Sequence, residues 1–443
     1  MLCSPFLSVF HADLSDKDYL GAHALFFPLF SHLTPILKVQ YIIASTSFFP
    51  FTCEIGRKCL RFLPSCFILF PCRIFAFFTV FSIYELLTVL LLTFFSVFFF
   101  GSFLLDIVPR SLHMTSIDAP PPGAYEKCHP GPNDRFVSVG PCGRTNVEIV
   151  LCYQTFGDPK NPCLLLVPGL GVSLYNYREA LLQQYVAKGF YVVVYDNRDS
   201  GCSTHLTSFD PPFILRMILP TWASVGEGEP AYTLDDMARD GLRLLDKLNI
   251  EKAHLLGASM GGMIVQCMAL LAPARVLSLN IVYSHHGGPD VKPQTWGMSL
   301  AMLEKPASDT LKDIQDYKVR FAAYFTTDVY PIDEALVRQE VAMLVHRCPD
   351  DAPSVGRQMW AIQRAASRVE GLRGLNTPTQ RNIPVTIIHG IGDTMVPVEN
   401  GVQLAKTIAQ SKLVVFADMG HAIPPELYDD FVDEVGLHLL HSK

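Results

Sequence analysis

From residue 163 onward, the chain alternates between short, continuously apolar segments and longer segments with apolar residues at helical spacing. The apolar segments are typical of strands buried on both faces, because they lack the polar alternation of a half-exposed strand. Strands that alternate with helices in this way form a mostly parallel sheet covered by helices on both faces. The fold class is therefore predicted to be α/β. The predicted strands are residues 163–169, 190–196, 252–257, 276–284, 384–390 and 412–418.

Two further strands are predicted upstream, at residues 135–139 and 147–157, with the turn-rich segment GPCGRTN between them. The predicted helices that cover the sheet are residues 177–189, 233–248, 261–273, 400–410 and 425–441. Thr233 opens one of these helices and Asp236 follows three residues later, which is the spacing of a capping box.

Ser259 lies at the junction of the third of the six listed strands and the next helix, between Gly257 and Gly261. The pattern G-x-S-x-G at such a junction is typical of a nucleophile elbow, a tight turn that exposes one hydroxyl above the sheet. Asp393 and His421 follow the last two predicted strands. Because the carboxyl ends of parallel strands meet at one edge of a sheet, we expect these three side chains to lie together.

This combination of residues predicts nucleophilic catalysis. A serine hydroxyl attacks poorly unless a base takes its proton, and His421 is predicted to be that base near neutral pH. Asp393 is predicted to hold the imidazole in the required tautomer. The backbone N–H groups of Met260 and Leu170 are predicted to stabilise the oxyanion. Taken singly, Ser259 fits a chance glycine-rich turn, Asp393 a turn cap and His421 a core histidine.

Other polar residues near the strand ends are predicted to be structural. Asp418 is a rival acid, but a surface role is expected for it. Asp196 and Asp199 are predicted to fix the loop that contains them, with Arg198 as their ion-pair partner. The adjacent histidines at 285–286 diverge in direction and have no carboxylate cluster nearby, so no metal site is predicted there.

Six motifs in order resemble one known family: LLLVPGLG, VVVYDNRDSGCST, YTLDDMARD, LLGASMGGMIVQ, PVTIIHGIGDTMVP and DMGHAIP. Together they resemble the α/β-hydrolase fold superfamily, and within it the serine esterase branch that includes aclacinomycin methylesterase-like proteins. The resemblance covers about residues 135–440. It implies that Ser259, Asp393 and His421 form a catalytic triad, with Leu170 and Met260 as the oxyanion donors.

The sequence departs from the family at Pro168, where the oxyanion loop often begins with His-Gly. The donor N–H follows Gly169, so this departure leaves the oxyanion hole intact. The absence of an H-G-G-P-G loop argues against proline iminopeptidase relatives. A serine at 259 argues against dehalogenases and epoxide hydrolases, which need an aspartate there.

The chain is predicted to divide into five parts: a hydrophobic region at 1–113, a linker at 114–134, the first part of the hydrolase core at 135–285, a helical cap at 286–381 and the second part of the core at 382–443. Apolar residues at helical spacing in the cap fit either its own core or an acyl pocket. They are Trp296, Met298, Met302, Phe321, Tyr324, Phe325, Met359 and Trp360.

The predicted activity is hydrolysis of a carboxylic ester of an apolar or lipid substrate through an acyl-serine intermediate, as in lipase-like esterases. An acyltransferase or a thioesterase with the same triad is an alternative. An aminopeptidase is another, and it would need acidic cap residues aimed at the substrate amine. Asp313, Asp316 and Glu340 are the candidates for that role.

The first 113 residues contain 21 of the 30 phenylalanines. Residues 86–105 carry no charge and are long enough to cross a bilayer as a helix, so a single- or multi-pass membrane anchor is predicted. An alternative is that translation starts at Met114, which would leave a cytoplasmic enzyme.

The composition argues against two further classes of partner, nucleic acids and metal ions. A formal charge of −7 argues against a nucleic-acid partner, which would leave a basic footprint. The 12 cysteines form no C-x-x-C pair and have no zinc spacing, so most are predicted to be reduced core thiols. No metal and no cofactor is predicted.

Overall fold

The computed structural model describes residues 120–212, 228–349, 352–376 and 383–440, with the backbone alone at residue 352 and over 436–440. The predicted anchor at 86–105 and the rest of the region 1–113 lie outside these residues. In the part of the chain that the structure describes, no helix combines the length and the apolar character needed to cross a membrane.

One sheet of eight strands organises the described residues. The strands are β1 (Arg135–Pro141), β2 (Glu148–Phe156), β3 (Cys163–Val167), β4 (Tyr191–Tyr195), β5 (Ala253–Ala258), β6 (Val276–Val282), β7 (Val385–Gly390) and β8 (Lys412–Phe416). Their order is β1-β2-β4-β3-β5-β6-β7-β8. Only the pairings of β2 with β1 and with β4 are antiparallel. The predicted mostly parallel α/β sheet is thereby confirmed.

Helices cover both faces of the sheet and fill the interval between β6 and β7. They are α1 (Glu179–Ala187), α2 (Leu234–Lys247), α3 (Met260–Leu271), α4 (Trp296–Ala301), α5 (Leu311–Ala322), α6 (Glu334–Arg347), α7 (Ala352–Gln363), α8 (Val369–Gly374), α9 (Glu399–Thr407) and α10 (Tyr428–Leu440). Helix α2 begins with the predicted capping box, in which the Thr233 side chain and Asp236 bond each other's backbone N–H.

Two apolar cores lie on opposite faces of the sheet because successive strand side chains point in opposite directions. In β3, Leu165 belongs to the core under α2 and α3, whereas Leu164 and Leu166 belong to the core under α1 and α10. Both faces of the strand are fully buried, as its uninterrupted apolar sequence predicts. The polar groups that remain for chemistry therefore lie in the loops at the strand ends.

The loop after β4 is fixed by three buried ion pairs, and their partners differ from the prediction. Arg198 was expected to pair with Asp196 or Asp199, which is wrong. Its guanidinium lies 2.6 Å from Asp240 of α2. Asp199 has a left-handed backbone with φ of 60°. The two loop carboxylates reach the helices between β6 and β7 instead.

Each of those carboxylates contacts an arginine from a different helix. Arg347, the last residue of α6, lies 2.8 Å from Asp196, and Arg357 of α7 lies 2.7 Å from Asp199. All four side chains are at most 4% exposed. Local spacing in the sequence does not identify ion-pair partners that are so far apart along the chain. In the folded protein, α6 and α7 both pair with the loop after β4.

The Asp199–Arg357 pair gives a stability prediction. Arg357→Met leaves a buried carboxylate without its cation, so we expect the free energy of unfolding to fall by about 3 kcal/mol or more. Arg373→Met on α8 is the matched control, because its pair with Glu370 is mostly exposed and should contribute less than about 1 kcal/mol. Urea denaturation of both variants checks this, and equal losses would contradict it.

Candidate active site

The turn between β5 and α3 holds Ser259 in a strained backbone conformation, with φ of 55° and ψ of −118°. Glycines on either side make this turn sterically feasible. A Cβ on Gly257 would lie 2.2 Å from the carbonyl oxygen of Gly261, and one on Gly261 would lie 2.0 Å from that of Val167. Because real Cβ atoms do not approach so closely, the pattern G-x-S-x-G is required by backbone contact at this junction.

His421 lies within hydrogen-bond reach of both Ser259 and Asp393, so the three side chains meet as the order of strands predicts. The Nε2 atom of His421 is 3.0 Å from the Oγ of Ser259. The Nδ1 atom is 2.7 Å from Oδ2 of Asp393. An ionised carboxylate only accepts hydrogen bonds, so Nδ1 carries the proton and Nε2 is left to accept one from the serine.

Asp393 is held in its ionised form. Its Oδ1 accepts hydrogen bonds from the backbone N–H groups of Met395 and Val396, at 2.9 and 2.8 Å. Burial alone would raise the pKa of this carboxyl, but the electrostatic effect of the adjacent His421 and the hydrogen bonds from His389, His421 and Val396 lower the pKa to about 2. The rival acid Asp418 is exposed, and its carbonyl oxygen accepts from the hydroxyl of Thr327.

Of the two predicted oxyanion donors, Met260 directly follows the serine in the chain, and Leu170 lies on a different loop. Met260 is the first residue of α3, so its N–H has no acceptor within the helix. Leu170 follows Gly169, where a Cβ would lie 3.2 Å from the Cβ of Ser259. The loop after β3 therefore passes directly beside the serine.

Two aromatic rings contact His421, and sequence reasoning identified only one of them. Tyr283 directly follows β6, and its ring centroid lies 4.5 Å from that of the imidazole. Phe325 is 5.7 Å away and is one of the predicted pocket residues. Tyr283 was missed because the pattern placed it inside a strand, where an aromatic residue is unremarkable. The polar residues that follow Tyr283 mark the end of a strand, and this signal could have placed Tyr283 at the edge of the sheet near the site.

The segment that carries Phe325 packs on the loops of both Asp393 and His421. A Cβ on Gly420 would lie 2.3 Å from the carbonyl oxygen of Phe325. The hydroxyl of Thr394 donates to the carbonyl of Tyr324 at 2.8 Å. Trp296, in contrast, is 86% exposed and so lines neither a pocket nor a core among the described residues. The short helix α4 turns that side chain outward.

The three acidic residues that an aminopeptidase could use are already engaged. Asp316 pairs with Lys312 and Arg338, both at 2.6 Å. Glu340 lies 2.7 Å from Arg178, and Asp313 accepts a hydrogen bond from a serine hydroxyl. The charges of Asp316 and Glu340 are therefore neutralised by neighbouring cations, which leaves them poorly suited to bind an incoming amine.

One group of three potential metal ligands comes together in the described part of the chain: Asp134, Cys152 and Cys202. Arg347 already lies in this cluster, with contacts of 2.9 Å to Asp134 and 3.3 Å to the Cys152 sulfur. A guanidinium at that position supplies the positive charge that a metal would bring. All seven cysteines of the described residues are free thiols.

The depressed pKa of Asp393 gives a prediction about acid stability. The pKa of this carboxyl is about 2 in the folded protein against an ordinary value of 3.8, so its ionised form stabilises the fold above about pH 4 and loses that contribution as pH falls toward 2. Asp393→Asn should therefore lower the free energy of unfolding by about 2 kcal/mol near pH 6, and by progressively less down to pH 2. Urea denaturation across this range checks it, and a pH-independent difference would contradict it.

Comparisons with known proteins identify the family to which this fold belongs. A family model described as the alpha/beta hydrolase fold matches residues 162–426. Rhodomycin D methylesterase DnrP of Streptomyces peucetius is 26% identical over 316 residues, which cover 66% of this chain and 96% of that protein. A 2-hydroxymuconate semialdehyde hydrolase of Pseudomonas sp. (strain CF600) is 29% identical over 50% of this chain and 75% of its own length.

A thermophilic esterase from Thermogutta terrifontis, solved with malate bound, superposes with a TM-score of 0.50 at 20% identity. The alignment covers 70% of this chain and 99% of that one. At this identity the superposition shows the fold alone. The family model, however, matches more than half of the chain, and its description agrees with the mostly parallel sheet. This chain belongs to the α/β-hydrolase fold family and has methylesterases among its relatives.

Proposed function

We propose that the protein is a serine hydrolase that cleaves a carboxylic ester of an apolar substrate through an acyl-serine intermediate. The observation that carries the proposal is the hydrogen-bonded series from Ser259 through His421 to Asp393, with contacts of 3.0 and 2.7 Å. Membership of a hydrolase family supports the general class, and the rhodomycin D methylesterase relatives favour an ester over other acyl substrates.

The proposed reaction proceeds in two steps. The Oγ atom of Ser259 attacks the ester carbonyl carbon while Nε2 of His421 takes its proton. Asp393 stabilises the imidazolium, which then gives the proton to the departing alkoxide so that an alcohol leaves. In the second step a water molecule, deprotonated by the same imidazole, attacks the acyl-serine. The carboxylic acid is released and the Ser259 hydroxyl is restored.

The carbonyl oxygen becomes negatively charged in each step and needs nearby donors. We propose the backbone N–H groups of Met260 and Leu170 for this role, because one opens α3 beside the serine and the other lies on the loop that passes it. Loss of one such donor in an acyl-transfer enzyme typically costs about 3 kcal/mol of transition-state stabilisation.

The surroundings of the imidazole favour an apolar acyl or alcohol group. The rings of Tyr283 and Phe325 contact His421, and two of the candidate acids, Asp316 and Glu340, are paired with cations. An aminopeptidase loses support from this pairing. A thioesterase or an acyltransferase would use the same triad. An acyltransferase differs from a hydrolase in the acceptor of the acyl group, which is an alcohol instead of water.

Removal of the nucleophile tests the proposal. Ser259→Ala should lower kcat/KM for p-nitrophenyl butyrate by about 10⁴-fold or more, because no acyl-serine can form. Ser299→Ala on α4 is the matched control, since its hydroxyl makes an exposed hydrogen bond to the carbonyl of Thr295 and takes no part in the proposed triad. Unchanged hydrolysis in Ser259→Ala, with the fold intact by circular dichroism, would refute the triad.

A competition between acceptors tests hydrolysis against acyl transfer. With alcohols added to the same assay, we expect the carboxylic acid to remain the main product. A product mixture dominated by the new ester would favour an acyltransferase instead.

We also propose that residues 86–105 anchor the protein to a membrane, where a lipid ester would be close at hand. The full chain should then stay with membranes after alkaline carbonate extraction and yield native peptides from residues 1–113. Release into the wash, or a native N-terminus at Met114, would contradict the anchor.

A further inference from the structure

Gln358 is a fully buried polar residue on α7, in the interval between β6 and β7. Its side chain makes three hydrogen bonds. Oε1 accepts from the backbone N–H of Gly171 at 2.8 Å. Nε2 donates to the carbonyl of Arg198 at 2.8 Å and lies 2.9 Å from the hydroxyl of Ser200.

These three bonds join α7 to two loops at the carboxyl edge of the sheet. Gly171 belongs to the loop after β3, which passes beside the serine, and Arg198 and Ser200 belong to the loop after β4. One primary amide satisfies a donor in the first loop and an acceptor in the second. An apolar side chain of similar length would leave both groups unpaired in a buried place.

The loop after β3 is held from both ends. The side-chain amide of Asn197 donates to the carbonyl of Pro168 at 3.0 Å. Gln358 holds Gly171 at the other end, and Leu170 lies between these two attachments. The side-chain amides of Asn197 and Gln358 would therefore fix the direction of the Leu170 N–H, which is the proposed oxyanion donor.

Helix α7 also packs directly on this loop. A Cβ on Gly171, whose φ is +65°, would lie 2.9 Å from a methyl carbon of Val355. One residue before Gln358, Arg357 is bound to Asp199 with contacts of 2.7 and 2.9 Å. A buried ion pair, a close apolar contact and an amide bridge thus attach one helical turn to the loops beside the nucleophile.

We infer that Gln358 is a positioning residue for the oxyanion hole, acting from the helical insertion through Gly171 on the N–H of Leu170. The inference rests on the proposed function, because it assumes that an oxyanion forms at Ser259. Its consequence is that the hole is complete only while α7 is seated on the loop.

The test compares Gln358→Met with wild type and with Gln363→Met, the same substitution at the end of the same helix. The first readout is the rate of phosphonylation of Ser259 by an alkyl fluorophosphonate. The second is the inhibition constant of an alkyl trifluoromethyl ketone, which forms a hemiketal oxyanion on the serine. The third is kcat and KM for p-nitrophenyl butyrate.

For Gln358→Met we expect at least a tenfold fall in phosphonylation rate, in kcat and in affinity for the trifluoromethyl ketone, with KM changed less than threefold. Gln363→Met should match wild type. Gln358→Glu keeps an acceptor for the Gly171 N–H and should recover part of kcat. A purely structural role would instead lower activity in proportion to Tm in both Gln358 variants, and that result would overturn the inference.

Ser200→Ala provides a second route if Gln358→Met fails to fold, because it removes only one partner of the Gln358 amide. A three- to tenfold slower phosphonylation at nearly unchanged Tm supports the inference, and the wild-type rate overturns it. Failure of the proposed function has a different signature: wild type itself would not be labelled at Ser259. If wild type is labelled at Ser259 and Gln358→Met is labelled at the same rate, the positioning role is refuted while the proposed function stands.

Discussion

The contact between the backbone of α3 and the end of β3 determines the rest of this site. Gly261 approaches the carbonyl of Val167 so closely that no side chain fits between them. Gly257 is equally confined against the first turn of α3. This approach forces Ser259 into a left-handed conformation and places its hydroxyl above the sheet edge. The strain is tolerated because β5 and residues 260–269 of α3, on either side of the serine, are buried.

A second constraint acts from the helices between β6 and β7. Their buried arginines neutralise carboxylates in the loop after β4, and the amide of Gln358 joins the same loop to the one beside the serine. Buried charges of this kind stabilise a fold only when they are fully paired. We therefore expect the loops of the site and the helices that pack on them to behave as one unit, so that a displacement of one would displace the other.

Much of this arrangement was predictable from the sequence. Uninterrupted apolar segments identify buried strands, and parallel strands bring their carboxyl ends to one edge, so the meeting of Ser259 with His421 followed from chain order alone. The capping box at Thr233 was equally readable because it depends on a spacing of three residues. Each of these inferences uses local patterns or one topological rule.

The failures share a different cause. Arg198 pairs with Asp240, 42 residues away, and no local pattern selects that partner over its sequence neighbours. Trp296 faces outward because of the orientation of a short helix, which periodicity does not determine. Gln358 went unnoticed since a single glutamine on an amphipathic helix carries no signal until its partners on two other loops are known.

The most direct measurement is to trap the acyl-enzyme. The protein is mixed with p-nitrophenyl trimethylacetate, whose bulky acyl group leaves slowly, then quenched in acid, digested and analysed by mass spectrometry. The account predicts one trimethylacetyl group per chain, on the peptide that contains Ser259, and none when His421 is replaced by alanine. Turnover of the ester with no adduct on that peptide, or with the acyl group on a cysteine instead, would contradict it.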